Sequence, residues 1–522
     1  MITEPKPSVL SPQSRFALLF RDVVFVAVAG TLLQLVIYAQ NPTSEVPKKD
    51  PRSIRAEQER LKKAAVEDLI LSAQAQPLEI SADLLLSLLA FDSVLEKKRQ
   101  AELLESIFRR ASEAKEPVKM VRRVGEADTR SGYLSMAHSL ELDSLSIRLR
   151  ALVLMVKIDR QRARELFQEI SPLRIKPLSC ADDLEYDVAL YYALVKKIAT
   201  DTFDAEAVAR KEPMHFVAAR LEEITSPAQL GPALDLVGSY RAKPVEFRFL
   251  IDRLSDALTR INSDPRSFAN ALKHNRLTEK IKFSIGSSDD APSNEFLKAY
   301  RRYLAKNLSG VQCSDSVVTI TKDKTDPSIS FANSMFERPL TEDDVKPERL
   351  EPAAETFAYW RSPKAASILR GLKRLRFGDG SVELTSGQRS EQKWQEQLEK
   401  FREEFNAWRS DDEETEIDYL HQKSVTFNSL FQVVPPGPGQ LDVLREFGLF
   451  LRNSSLQRDA PLHWLFHAKY LLRSVKTFDG GQRERFIDAL DSTGNSAFSV
   501  YLKLDRLKQA EKDTPVSNKP NF

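Results

Sequence analysis

Residues 144–170 read SLSIRLRALVLMVKIDRQRARELFQEI, and their spacing decides the fold class. Leu145, Leu149, Leu152 and Val156 recur at three- and four-residue steps and form one stripe of a helix, with Arg148 and Arg150 directed to water. Asp159 stands where a side-chain acceptor is needed by the free N–H groups of a new helix. The second helix carries Ala163, Leu166, Phe167 and Ile170 and stops before Pro172, which cannot continue it. Two helices joined by so few residues must run nearly antiparallel, so the segment is an αα-hairpin.

The same style extends over about 140–275. Leu184, Val188, Tyr191, Val195 and Ile198 make one stripe, and Met214, Val217, Leu221 and Ile224 the next. Ser226-Pro227-Ala228-Gln229 is a helix start with a hydroxyl cap, proline in the first turn and a glutamine that reaches back. Phe247, Leu250, Ile251, Leu254, Leu258 and Ile261 face one side, and Asp264-Pro265 opens a further helix. Short amphipathic helices in serial hairpins bury their apolar faces only by stacking on neighbours, which is the logic of a helical solenoid.

Within this region Ala163 and Phe167 match the small-residue and aromatic spacing of a second repeat helix. The first-helix positions hold Ile147, Arg150, Ala151 and Leu154, where Arg150 replaces the expected leucine and Pro172 comes early. The segment resembles a degenerate tetratricopeptide-like repeat over about a quarter of the chain. The resemblance implies stacked helix pairs and a protein partner.

Upstream, Leu61, Ala65 and Leu69 share a face, and Ser81 is placed to cap a helix carrying Leu84, Leu85, Leu88 and Leu89. Residues 286–292 form a linker by composition. Ser316–Ile320 is the best strand candidate, and Asp379-Gly380 suggests a hairpin turn at 377–382. Trp394, Phe401, Phe405 and Trp408 form an aromatic stripe that could line a ligand groove. The expected layout is a signal peptide or membrane anchor at 1–40, a linker at 41–53 and a helical-hairpin domain at 54–285. A linker helix and irregular excursion follow at 286–355, then a second helical domain at 356–510 and a disordered tail at 511–522. The fold class is all-α, with helical hairpins stacked as an irregular α-solenoid or bundle and minor short β segments in the C-terminal half.

Residues 23–39 hold no charge and are broken only by Thr31 and Gln34. The run is near the short end of what spans a bilayer, about 20 apolar residues. Ala39 could serve a signal-peptide cut, although Ile37 is bulky for it. Lys48, Lys49, Arg52 and Arg55 beyond the run weaken an orientation based on positive charge. The expected location is that of a bacterial-type exported protein, periplasmic or extracellular, or one anchored in the inner membrane.

The 77 basic and 75 acidic side chains nearly cancel, which argues against a nucleic-acid partner. Two cysteines, Cys180 and Cys313, exclude a cysteine-only zinc site and could pair in an oxidising compartment. His463 and His467 lie one turn apart, as metal binding permits, but Trp464 stands where a metalloprotease motif has glutamate. A third ligand would have to be a carboxylate such as Asp479 or Glu484. The pairs Asp182-Asp183 and Asp343-Asp344 carry no sign of a raised pKa. No phosphate-binding glycine loop or nucleophile elbow is present, so no catalytic residue and no cofactor is assigned. The sequence therefore points to an exported or membrane-tethered, noncatalytic scaffold for a protein partner, with membrane contact through 23–39 if uncleaved. The alternative is a metal-dependent hydrolase using His463, His467 and a carboxylate.

Overall fold

Helices bearing one apolar stripe each must find two neighbours, and the chain meets this need by alternate packing. The computed structural model describes residues 51–91, 95–115, 117–119, 130–262, 264–274, 276–285, 291–321, 323–352, 362–410, 412, 414–490 and 496–513. The apolar segment 23–39 and its linker to residue 50, the composition-based linker at 286–290 and the tail beyond 513 lie outside the described residues.

Helices α1 (Pro51–Gln74), α2 (Leu78–Leu89), α3 (Lys97–Arg110) and α4 (Arg130–His138) come first. The hairpin read from residues 144–170 is α5 (Ser144–Ile158) and α6 (Arg160–Gln168), with Asp159 accepting from the Arg162 amide at 2.9 Å. Then come α7 (Val188–Asp201), α8 (Glu212–Glu222), α9 (Leu230–Gly238), α10 (Pro244–Arg260), α11 (Leu277–Ile285) and α12 (Ala291–Ser309). Packing skips every second helix: α5 on α7, α7 on α9 and α9 on α11 in one layer, α8 on α10 and α10 on α12 in the other. This is a stacked helical-repeat architecture, in which each pair shelters its neighbours. Ser226 and Gln229 form the expected capping box, and Asp264 caps the short helix at Pro265–Ala269.

A second stack uses α13 (Pro363–Phe377), α14 (Gln392–Ala407), α15 (Glu416–Val433), α16 (Pro438–Arg452), α17 (Pro461–Val475), α18 (Gly480–Leu490) and α19 (Ala497–Asp513). Here α13, α15 and α17 pack in series, as do α16 and α18. Gly448 permits the second approach, since a Cβ there would meet Leu490 carbons at 2.6 to 3.2 Å. The last helices then turn to the first ones: α17 packs on α2 and α4, α19 on α2, and α2 on α5. In space the second stack therefore precedes the first, and residues Lys63–Phe522 make one unit.

Asp83 of α2 locks this junction. It is 3% exposed, accepts from Tyr501 Oη of α19 at 2.7 Å, and lies 2.7 Å from Lys469 Nζ of α17 and 3.6 Å from an Arg150 nitrogen of α5. Arg150, expected to face water, instead also donates to the Leu140 and Glu141 carbonyls. Its departure from the repeat pattern serves the junction.

Several local expectations need correction. Helix α2 starts after Pro77, so Ser81 is buried inside it rather than capping it. On α1 the core face is Val66, Leu69, Ile70 and Ala73, whereas Leu61 and Ala65 are exposed. Ser316–Ile320 is not a strand: Lys273 Nζ donates to the Val317 carbonyl, and Gln312 Oε1 accepts from the Val318 amide, so side chains take the groups a ladder would use. The paired β segments are Gln312–Cys313 and Leu350–Glu351, parallel to each other. At 377–382 no hairpin forms. Gly378, with φ +62°, ends α13 through a bond from its amide to the Arg374 carbonyl.

Cys180, between α6 and α7, is joined by a disulfide to Cys313, closing a sequence separation of 133 residues. Beside it the buried Arg266 guanidinium holds Asp315 at 2.9 and 3.0 Å and lies 3.4 Å from Asp183. Reduction is expected to lower the unfolding free energy by up to about 5 kcal/mol, because the unfolded chain regains the entropy of a long open loop. Urea titration with and without reductant checks this, and coincident curves would contradict it.

Candidate functional site

Helix α15 is where the second stack departs from ordinary core chemistry. Thr415 starts it by accepting from the Asp418 amide at 3.0 Å. Helices α13, α16 and α17 all pack on it, so polar groups on several faces are covered. Asp418, His421, Gln422, Lys423, Ser424 and Thr426 are each at most 4% exposed. Burying so many polar groups costs free energy unless they find partners.

On the α17 side they do so as a chain of imidazoles. His421 Nδ1 lies 2.5 Å from His467 Nε2, and His421 Nε2 lies 3.1 Å from His463 Nδ1. All three rings are buried. Burial pushes His463 down to about 4, opposed by the nearby Asp418 carboxylate, and His467 down to about 3, helped by His463. Burial also holds His421 well below the usual histidine range, and its two histidine neighbours add to this. Neutral imidazole has one donor and one acceptor nitrogen, so the three rings can pass one consistent hydrogen-bond direction along the chain. His467 Nδ1 is the exception: it is buried without a partner.

This geometry is not a chelate. Zinc needs its ligand nitrogens aimed at one point about 2.0–2.1 Å from each. His421 turns opposite edges of one ring to its two neighbours, so both nitrogens cannot meet at one ion. Among the described residues no group of three or more His, Cys, Asp or Glu side chains could hold a metal ion. Asp479 accepts from the Gln482 amide, and Glu484 faces Arg506 in an exposed pair. Neither carboxylate proposed as third ligand stands beside the histidines; Asp418 and His421 do.

On its other side α15 presents Lys423, 4% exposed. Its ammonium donates to the Trp408 carbonyl at 2.8 Å and to Tyr419 Oη at 3.0 Å. The rings of Phe405, Trp408, Tyr419 and Phe450 surround it at 5.3 to 5.9 Å, an arrangement that replaces part of the lost hydration by cation–π attraction. Burial, then the charge of Arg409, pushes the lysine down to about 8. Lys423 lies on the wall of a cleft of about 830 Å³ that also takes in Arg409, Tyr419, Phe450 and Asn453.

The four aromatics read as a groove are placed differently. Trp394, Phe401, Phe405 and Trp408 are at most 5% exposed and pack in the core. Only Phe405 and Trp408 reach the site, as two walls around Lys423. Asp182 pairs with Lys119, Asp183 with Arg266, and Asp344 with Arg301, so these carboxylates are held by cations.

No family model matches this chain. No curated protein and no solved structure matches it either. The site therefore stands on its own geometry.

Sequence reasoning passed over residues 416–433. Polar residues fall on every face there, so the segment carries a weak apolar stripe, although Asp418 and His421 one turn apart were a usable signal beside His463 and His467.

Proposed function

We propose that this chain is a noncatalytic helical scaffold whose stacked pairs present the cleft between α14, α15 and α16 to a protein partner. The observation that carries the reading is this open cleft of about 830 Å³ on a stacked helical-repeat frame. Stacked repeats offer extended binding surfaces of this kind. A tetratricopeptide-like origin of the first stack is the finer reading. It is supported by Ala163 and Phe167, both buried where α6 meets α5.

An exported or membrane-tethered location belongs to the same proposal. The apolar run 23–39 supports it, and so does the Cys180–Cys313 disulfide, a bond favoured outside the reducing cytosol. Among the described residues no helix is long and apolar enough to cross a membrane. Fractionation with N-terminal sequencing of the mature chain decides between cleavage and anchoring.

The partner is tested by placing a photo-crosslinking residue at Asn453, exposed on the cleft rim, and a control at the exposed Lys364 of α13. A discrete adduct from Asn453 alone is expected. Equal labelling at both positions, or none, would remove the reading. Metal analysis tests the hydrolase alternative: one equivalent of zinc, lost in His467→Ala, would favour it over the scaffold.

A further inference from the structure

Two carboxylates line the α14–α16 cleft, but both are engaged elsewhere than at its cations: Glu446 is held by Arg402, and Glu416 accepts from Ser410 Oγ. One oxygen, the Trp408 carbonyl, receives Tyr419 Oη at 2.8 Å, Lys423 Nζ at 2.8 Å and an Arg409 guanidinium nitrogen at 2.9 Å. A carbonyl has two lone pairs, and here it faces three donors, two of them fully charged. The only negative character it adds is the partial charge at the C-terminal end of α14, which it caps.

Among the described residues the other buried cation, Arg266, sits against Asp183 and Asp315, and the half-buried Lys469 sits against Asp83. Among the described residues neither Lys423 nor Arg409 forms an ion pair. An ammonium has three protons, and two of those on Lys423 are placed. Arg409 is exposed and Lys423 is covered, so the positive charge runs from the cleft's mouth to its floor. The half-buried Phe450 ring and the Tyr419 ring stand next to it, edge to face at 5.8 Å.

We infer that this cleft binds a carboxylate carried beside an apolar group, with Lys423 Nζ and the Arg409 guanidinium on the carboxylate and the Tyr419 and Phe450 rings against the apolar part. A charge-assisted pair of this type is stronger than neutral hydrogen bonds and distinguishes an acid from its amide. The arriving anion also relieves the repulsion between the two cations. Lys423, held at about 8 in the free protein, then moves up, and binding near pH 8 takes up a fraction of a proton.

The inference rests on the cleft being the binding face, and the two claims separate by experiment. Carboxylate binding without an Asn453 adduct removes the protein partner and keeps the site. An Asn453 adduct without a preference for acid over amide does the reverse.

The test is calorimetric titration of the purified full chain at pH 8 in two buffers of different ionisation heat. The probes are N-acetylphenylalanine, its uncharged amide and inorganic phosphate. The acid is expected to bind with proton uptake, at least about tenfold tighter than the amide and tighter than phosphate. Arg409→Gln, at an exposed position, is expected to weaken acid binding about tenfold, and Lys423→Met to abolish the uptake. Equal affinity for acid and amide, tighter binding of phosphate, or no effect of Arg409→Gln would overturn the site. If Lys423→Met does not fold, the acid–amide comparison and Arg409→Gln still decide.

Discussion

Moving from pH 7 to pH 5 is expected to remove several kcal/mol of stability, far more than a chain with exposed histidines would lose. In the unfolded chain His421, His463 and His467 take up protons as the pH falls through about 6.5. In the folded chain they stay neutral, His463 to about 4, His467 to about 3 and His421 well below its usual range. The unfolded state thus binds more protons throughout this window, and unfolding free energy falls as pH falls. Each histidine held neutral costs about 1.4 kcal/mol per pH unit below 6.5. At pH 5 His463 and His467 together would cost about 4 kcal/mol, and His421 acts in the same direction.

Buried Asp143 and Asp264 and half-buried Glu141 and Glu223 act in the opposite sense, because desolvation raises each of them. A raised carboxyl gains stability only as the pH falls through its folded pKa, so any such gain subtracts from the histidine loss. Urea midpoints at pH 7, 6 and 5 measure the net slope. A flat profile would show that the imidazoles are charged or solvent-reached in the folded chain. The His421→Gln, His463→Gln and His467→Gln triple variant should flatten the slope.

Removing the Asp83 carboxylate should be the costliest single truncation at the junction of the two stacks. Asp83→Ala leaves Lys469 and Arg150 facing each other without an anion and takes the acceptor from Tyr501. Breaking a buried pair in this way costs about 3–5 kcal/mol. The exposed pair Lys503–Asp68, close by in sequence to Tyr501, is worth at most about 1 kcal/mol. Denaturant midpoints for Asp83→Ala and Lys503→Ala should therefore differ widely. Asp83→Asn should fall between, since it keeps an acceptor for Tyr501 and loses the charge. Equal, small effects would mean that the carboxylate is not buried between these helices.

What could be read in advance follows from the range of the forces involved. Helix starts at Asp159, Ser226 and Asp264 are local: a cap and its amides lie within three residues, so their pattern survives in sequence. Apolar stripes such as Tyr191–Val195–Ile198 likewise report a buried face without naming what buries it. The junction could not be read that way. Tyr501 and Asp83 are 418 residues apart, and Arg150 looked like a solvent-facing arginine because its anion lies on another helix. The site suffered the same loss. His463 and His467 signal polar chemistry on one helix, but the ring that joins them, His421, comes from a different one. Lys423 in its aromatic surround is legible only once Phe405, Trp408, Tyr419 and Phe450 have been brought together from three segments.

The return of the chain's end to its beginning joins the two stacks. Asp68 on α1 and Lys503 on α19 are partly exposed and 3.1 Å apart across 435 residues. With Cys180 and Cys313 held in their disulfide, Asp68→Cys and Lys503→Cys would provide the only free thiols. A short bis-maleimide should join them within one chain, giving a band of altered mobility that is absent from either single variant. Full modification of both thiols without an intrachain link would contradict the docking of the second stack on the first.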